Sequence, residues 1–299
     1  MNILLTGANG FLGQVLCRQL IAKGWNLTAT GKGPSRIPDP GDNYVYVEMD
    51  FTDPFQVHDV FDKYKPSVVI HAGAITQADQ CEQEQWQAYL VNVEGVVNML
   101  LNAEEQQSFF IFISTDFVFD GAGEMYSEED EPRPVNFYGR TKMEAEDAVK
   151  EYEHHWAIVR TSLVYGGKTN SRGNIVSIVK EKLEKAETYK VVDDQFRTPT
   201  YVEDLASGII QIITRKATGI YHLSGSEVLT PWQLAKMVAI ESGYDDSNLI
   251  RVTAADFSQP ARRPANTSLN IQKAVKVLEY APRSFTTALR LVLGTNENK

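Results

Sequence analysis

A short strand-like run, Asn2-Ile3-Leu4-Leu5-Thr6, passes directly into Gly7-Ala8-Asn9-Gly10-Phe11-Leu12-Gly13 and then into a segment with Leu12, Val15, Leu16 and Leu20 on one helical face. Strand, glycine turn and helix in immediate succession is the most restrictive pattern in the chain, because it fixes both the pleat of a buried strand and the helix that covers it. Glycines allow a tight turn and a close approach of backbone to a phosphate, whose charge the helix N-terminus favours. The spacing is G-x-x-G-x-x-G, one residue longer than the common dinucleotide fingerprint. Its position directly after a strand gives it the weight that spacing alone lacks.

The same rhythm continues. Strands are expected at 26–30, 44–48, 67–70, 109–113 and 156–160, separated by helical patterns, and Phe109-Phe110-Ile111-Phe112-Ile113 is apolar on both faces, as in a strand buried between helix layers. These features predict an α/β fold, a Rossmann-type doubly wound parallel sheet with a small C-terminal substrate-binding lobe. Residues 1–165 and about 189–225 are expected to form the dinucleotide-binding domain, and about 166–188 and 226–299 the lobe. Ligands of such sheets gather at the C-terminal ends of the strands. There the fourth strand leads into His71-Ala72-Gly73-Ala74, small residues over which a cofactor can lie; His71 itself reads as structural. A helix is expected over 83–103, with Asn92 interrupting its buried face for a polar purpose.

The fifth strand ends in Ser114-Thr115-Asp116, and after an acidic, Pro-containing loop comes Asn136-Phe137-Tyr138-Gly139-Arg140-Thr141-Lys142. Asn136 is a candidate N-cap, which puts Tyr138 and Lys142 one turn apart on one helix side. A phenol with an ordinary pKa near ~10 exchanges protons poorly at neutral pH. A Lys ammonium about 4 Å away, at an effective dielectric of about 20, attracts a phenolate by ~4 kcal/mol, roughly three pKa units before desolvation. Thr115 at the strand end can hold the same substrate oxygen. In a chain with 13 tyrosines a lone Tyr-x-x-x-Lys is weak, so the hydroxyl-ended strand and the glycine turn carry the inference.

A net charge of −10 and a pI of about 5.1 argue against a nucleic-acid or anionic-membrane surface, so a phosphate ligand has to be bound locally. Cys17 and Cys81 have no Cys-x-x-Cys spacing and read as reduced thiols. The histidines show no ligand spacing, so no metal is expected. Without an 18-residue apolar run or a secretory leader pattern, no membrane association and a cytoplasmic location are expected; a homodimer is left open.

No acidic residue follows the second strand, where an NAD-preferring site usually bonds the ribose hydroxyls; Lys32, Ser35 and Arg36 stand there instead and favour NADPH, with NADH the other candidate. Asp50 and Phe51 after the third strand are placed to meet the adenine. The expected cofactor set is Gly7, Asn9, Gly10, Phe11, Leu12, Gly13, Lys32, Arg36, Asp50, Phe51, Ala72, Gly73, Ala74, Asn92, Tyr138 and Lys142.

With Gly7, Gly10, Gly13, Thr115, Tyr138 and Lys142 in place, the chain resembles the extended short-chain dehydrogenase/reductases. Ser114-Thr115-Asp116-Phe117-Val118-Phe119-Asp120-Gly121, Tyr138-Gly139-Arg140-Thr141-Lys142, Arg160-Thr161-Ser162 and Arg262-Arg263-Pro264-Ala265-Asn266 make it similar, over nearly its whole length, to the dTDP-4-dehydrorhamnose reductase family. The resemblance implies NADPH- or NADH-dependent reduction of the C4 carbonyl of a nucleotide-linked 6-deoxy-4-keto sugar. Tyr138 would then donate the proton, Lys142 would tune it and hold the nicotinamide ribose, and Thr115 would orient the carbonyl oxygen. Thr76, Thr115, Asp116, Phe117, Leu163, Arg262 and Arg263 are the implied substrate set; Leu163 stands where those reductases tend to carry tryptophan. Two rivals share the motifs: another nucleotide-sugar reductase or epimerase, and a non-catalytic NADP-binding regulatory subunit resembling the methionine adenosyltransferase β subunit.

Overall fold

In the computed structural model, which describes residues 1–37, 41–167 and 173–295, seven parallel strands form the central sheet. They are β1 (Asn2–Thr6), β2 (Asn26–Gly31), β3 (Tyr44–Glu48), β4 (Val68–His71), β5 (Phe109–Thr115), β6 (Trp156–Thr161) and β7 (Gly219–His222). The spatial order is β3-β2-β1-β4-β5-β6-β7, so the winding reverses between β1 and β4. A crevice opens at such a reversal, beyond the strands' C-terminal ends.

Alternation along each strand feeds two cores. Ile3 and Leu5 face one layer with Leu16, Leu20, Leu205 and Ile209, whereas Leu4, Phe110 and Phe112 face the other with Val57, Phe61, Met99 and Val149. Burial on both sides is why these strands read as unbroken apolar runs; each such side chain contributes roughly 1.5–3 kcal/mol. The first layer is built from the helices Phe11–Ala22 and Val202–Arg215, the second from Pro54–Tyr64, Gly95–Gln106 and Phe137–Lys150.

Two expectations change. The helix expected over 83–103 is broken into Gln85–Tyr89 and Gly95–Gln106 by a π-helical turn, Leu90–Glu94, which carries Asn92. The strand Tyr189–Val192, assigned from sequence to the dinucleotide half, pairs with Leu249–Val252 outside the main sheet. Its Val191 packs with Val176, Val179, Leu234 and Leu249 in a third core. A four-residue strand carries too little pattern to specify its partner, and that apolar cluster decides it. Part of the proposed lobe, residues 168–172, lies outside the described residues.

Two buried histidines bear on stability. His71 Nδ1 lies 3.0 Å from Thr6 Oγ1 and His222 Nδ1 lies 3.0 Å from the Tyr126 carbonyl, and burial holds both rings at about 3. The unfolded chain protonates both below about 6.5, so between these limits it binds more protons than the native state and stability falls as pH falls. We expect urea unfolding to show about 3–4 kcal/mol less stability at pH 5 than at pH 7 from these two rings, with His222→Gln removing about half of the slope. Equal stability at both values would mean that the native rings are already charged.

Candidate active site

At the crevice, the ends of β1, β4, β5 and β6 surround one cavity of about 580 Å³. Gly7, Gly10, Phe11, Leu12 and Gly13 form one wall, Ala72, Ala74 and Thr76 a second, and Thr115, Asp116, Phe117, Tyr138, Lys142, Leu163 and Arg263 the remainder. The glycine wall is built by necessity. Gly7 has φ +68°, and a Cβ there would stand 2.8 Å from the backbone of Ala72 and Gly73. The N-terminus of the helix Phe11–Ala22 therefore opens on the cavity with no side chain in the way, a cradle of the kind that holds a dinucleotide pyrophosphate.

The tyrosine helix is set by its cap. Asn136 Oδ1 accepts from Gly139 N at 2.8 Å, and Asn136 Nδ2 donates to the Arg262 carbonyl at 2.8 Å. Tyr138 is 9% exposed and lines the cavity together with Thr115. Lys142 is buried, with Nζ 3.9 Å from the centroid of the Phe112 ring. One turn on, Glu146 accepts from Arg160 at 2.6 Å and from Ser114 at 2.5 Å. The charge at Lys142 thus faces a carboxylate already held by two other donors.

Electrostatics here differ from the sequence expectation. Burial pushes the Tyr138 phenol above its ordinary value, the Thr115 hydrogen bond opposes this, and Asp116 adds to it. Burial also lowers Lys142 to about 7, against the pull of Glu146. The depression of the phenol expected from Lys142 is not found: both groups leave water on folding, and desolvation disfavours both charged forms.

Several expected contacts are used elsewhere. Asn9 reaches the loop after β2, donating to Pro34 O at 3.0 Å and Tyr46 Oη at 2.8 Å and accepting from Arg36 N at 2.9 Å; it shapes that loop rather than lining the cavity. Lys32 and Asp50 pair with each other at 2.7 Å outside the cavity. Phe51 wedges against Gly73 and Gly95, where added Cβ atoms would stand 2.4 and 2.6 Å from its ring, so Gly73 is small for Phe51. Asn92 accepts from Ile75 N at 2.8 Å and donates to Ile75 O at 3.0 Å and Thr141 Oγ1 at 3.1 Å, tying the fourth strand's exit to the tyrosine helix. Arg262 is exposed and away from the cavity, whereas Arg263 lines it and holds Asp79 through both terminal nitrogens.

Gln195, Arg197 and Pro231 line the cavity without having been expected there. Arg197 is buried, donates to Phe196 O at 2.7 Å and Pro264 O at 2.8 Å, and has Nε 3.8 Å from Asp116 Oδ2. It sits in an irregular segment with no periodicity to announce burial. Among the described residues no group of His, Cys, Asp and Glu could hold a metal ion, and no helix is long and apolar enough to cross a membrane.

The family model described as the RmlD substrate binding domain matches residues 1–297. The chain belongs to the RmlD family of extended short-chain dehydrogenase/reductases. This member is 32% identical to the spore coat polysaccharide biosynthesis protein SpsK of Bacillus subtilis (strain 168), over 97% of this chain and 95% of that one. It is 31% identical to methionine adenosyltransferase 2 subunit beta of Xenopus tropicalis, over 92% of this chain and 81% of that one. Among solved structures it is similar to dTDP-4-dehydrorhamnose reductase from Bacillus anthracis str. Ames in complex with NADP, with TM-score 0.84, 29% identity and 99% of each chain covered. The RmlD-family chain is accordingly an NAD(P)H-dependent oxidoreductase, and the glycine cradle at the helix N-terminus fits such a cofactor.

Proposed function

We propose that this RmlD-family chain reduces the C4 keto group of a nucleotide-linked 6-deoxy-4-keto sugar with NADPH, and that dTDP-4-dehydro-L-rhamnose, giving dTDP-L-rhamnose, is its substrate. The observation that carries the reading is that the Gly7, Gly10 and Gly13 turn and the Thr115, Tyr138 and Lys142 side chains open on one cavity. NADPH supplies the hydride when bound. The chain supplies position and the proton.

Tyr138 is the acid: its phenol stays protonated well above neutral pH because burial disfavours the phenolate, so a proton is available for the alkoxide that forms at C4. Lys142, held at about 7, contributes a cation that its buried surroundings restrain, close enough on the same helix face to hold a ribose hydroxyl. Thr115, on the same cavity, orients the carbonyl oxygen. Thr76, Asp116, Phe117, Leu163 and Arg263 form the substrate side, with Arg263 rather than the exposed Arg262 set to meet the diphosphate. The basic loop with Lys32, Ser35 and Arg36 is assigned to the 2′-phosphate, Lys32 being shared with Asp50. The third core around Val176, Val191, Leu234 and Phe285 is the candidate lobe that covers the sugar.

The test supplies NADPH or NADH with a panel of nucleotide-linked 4-keto sugars and follows loss of nicotinamide absorbance. We expect turnover of the dTDP-linked 6-deoxy sugar, faster with NADPH. Equal rates with NADH would remove the 2′-phosphate assignment. The likeness to a methionine adenosyltransferase β subunit supports a second reading, a regulatory subunit that binds NADP. Silence across the panel with NADPH binding intact would favour it.

A further inference from the structure

The segment Ala261-Arg262-Arg263 makes three different attachments at the cavity. Ala261 is buried in one apolar cluster with Tyr138, Ala78 and Cys81. The Arg262 carbonyl accepts from Asn136 Nδ2 at 2.8 Å. Arg263 lines the cavity and is fixed there by Asp79 of the helix Ala78–Gln83. Its Nη2 donates to Asp79 Oδ2 at 2.7 Å, and its Nη1 donates to Asp79 Oδ1 and to the Ala261 carbonyl. A guanidinium carries five N–H groups. Those three bonds leave Nε and one hydrogen of Nη2, along one edge of the fork, without a partner among the described residues. Such an edge suits an oxyanion, which accepts two parallel hydrogen bonds from it. Arg197, the other arginine of the cavity, has no such edge: its terminal nitrogens donate to four oxygens, and its Nε faces Asp116.

Asn136 is 7% exposed and is bonded on both sides. Oδ1 accepts from Gly139 N in the first turn of the tyrosine helix, and Nδ2 donates to the residue before Arg263. A backbone N–H only donates and a carbonyl only accepts, so these two partners fix which end of the amide is which. Capping does not by itself require asparagine, because serine caps a helix about as well. Serine has one oxygen, however, and it cannot stand both under Gly139 and against Arg262. The helix start also has a second acceptor, Glu82 Oε2, which takes Phe137 N at 3.0 Å. The Nδ2 bond is therefore separable from the cap.

We infer that Asn136 is a positioning residue: its hydrogen bond to Arg262 locks the helix of Tyr138 to the segment that presents Arg263, so that a diphosphate seated on Arg263 sets where the phenol stands. The inference rests on the reaction proposed above, with Tyr138 as the acid and Arg263 on the diphosphate. Its consequence is that binding energy gained at the nucleotide end, remote from the reacting carbon, is expressed in kcat. Asp79 serves the same link from the other side, because it also accepts from Ala261 N at 3.1 Å and so holds the segment as well as the guanidinium.

The test compares Asn136→Ser, which keeps a cap and loses the link, with Asn136→Ala, which loses both. Asn136→Ser is expected to lower kcat about tenfold, the order of one hydrogen bond, with the KM for NADPH within about twofold and the melting temperature close to that of the parent. Asn136→Ala is expected to lose melting temperature as well. Parental kcat in Asn136→Ser overturns the inference, because a residue that only caps would give that result. A second arm needs no turnover: amide hydrogen exchange of the whole chain, with and without saturating dTDP and with neither cofactor nor sugar. Bound dTDP is expected to slow the Gly139 and Arg140 amides at least about threefold relative to those of the helix Pro54–Tyr64, and to lose that effect in Asn136→Ser at equal occupancy. Binding of dTDP that leaves these amides unchanged in the parent overturns the inference, whatever Asn136→Ser does to folding. Failure of dTDP to bind, or full activity of Tyr138→Phe, would instead defeat the reading of the site on which the inference rests.

Discussion

Turnover is expected to fall by about 10²–10⁴ when Tyr138 is replaced by phenylalanine, the usual span for removing a positioned general acid. The change deletes one oxygen from a side chain that is 9% exposed and whose ring packs edge-on to Phe117 at 6.0 Å between centroids. The apolar contacts remain, so the variant should fold with a melting temperature close to that of the parent. NADPH affinity should change by less than about threefold, because the phenol contributes at most one hydrogen bond to the cofactor. The loss should appear in kcat with little change in the substrate KM, since the proton is delivered only in the transition state. Single-turnover rates and cofactor titrations on the same preparation separate these quantities. Wild-type turnover would remove Tyr138 from the chemistry.

The second large effect concerns Gly13→Ala. In an ordinary helix interior this change is stabilising by about 1 kcal/mol. Here the new Cβ would stand 2.1 Å from the Gly7 carbonyl oxygen and 2.7 Å from Ala8 Cα. Both obstacles are backbone, so neither can swing aside, and the helix Phe11–Ala22 has to move off the turn. Overpacking costs of about 1–3 kcal/mol or more then exceed the propensity gain. Displacing the helix N-terminus also removes the amides that a pyrophosphate needs, and NADPH affinity should fall by at least about 10². Gly167 is the control: among the described residues nothing lies within 4 Å of a Cβ built there, and Gly167→Ala should leave both melting temperature and affinity unchanged. Wild-type NADPH binding by Gly13→Ala would mean that the turn does not carry the cofactor.

Much of this arrangement was legible in the residues themselves. The two-faced apolar run of β5 required helices on both sides, and clusters around Ile111 and around Phe110 and Phe112 supply them. Asn136 caps its helix as its residue type implies, and Tyr138 and Lys142 stand one turn apart because the spacing is local. Thr230 caps the helix Pro231–Ser242 for the same reason. Asn92 was legible as a polar residue with a task, but its partners Ile75 and Thr141 come from elsewhere in the chain.

Residue type and local spacing therefore determined the strands, the glycine turn, the helix caps and the placement of Tyr138 and Lys142 one turn apart, because each depends on backbone geometry within a few residues. Tertiary structure alone decided that Asp116 meets Thr267 and Arg197, that Arg263 holds Asp79, and that Lys32 is taken by Asp50. It also decided that burial raises the phenol rather than leaving Lys142 to lower it. Desolvation and long-range pairing are sums over every group that surrounds a charge, and those groups become neighbours only once the chain has closed.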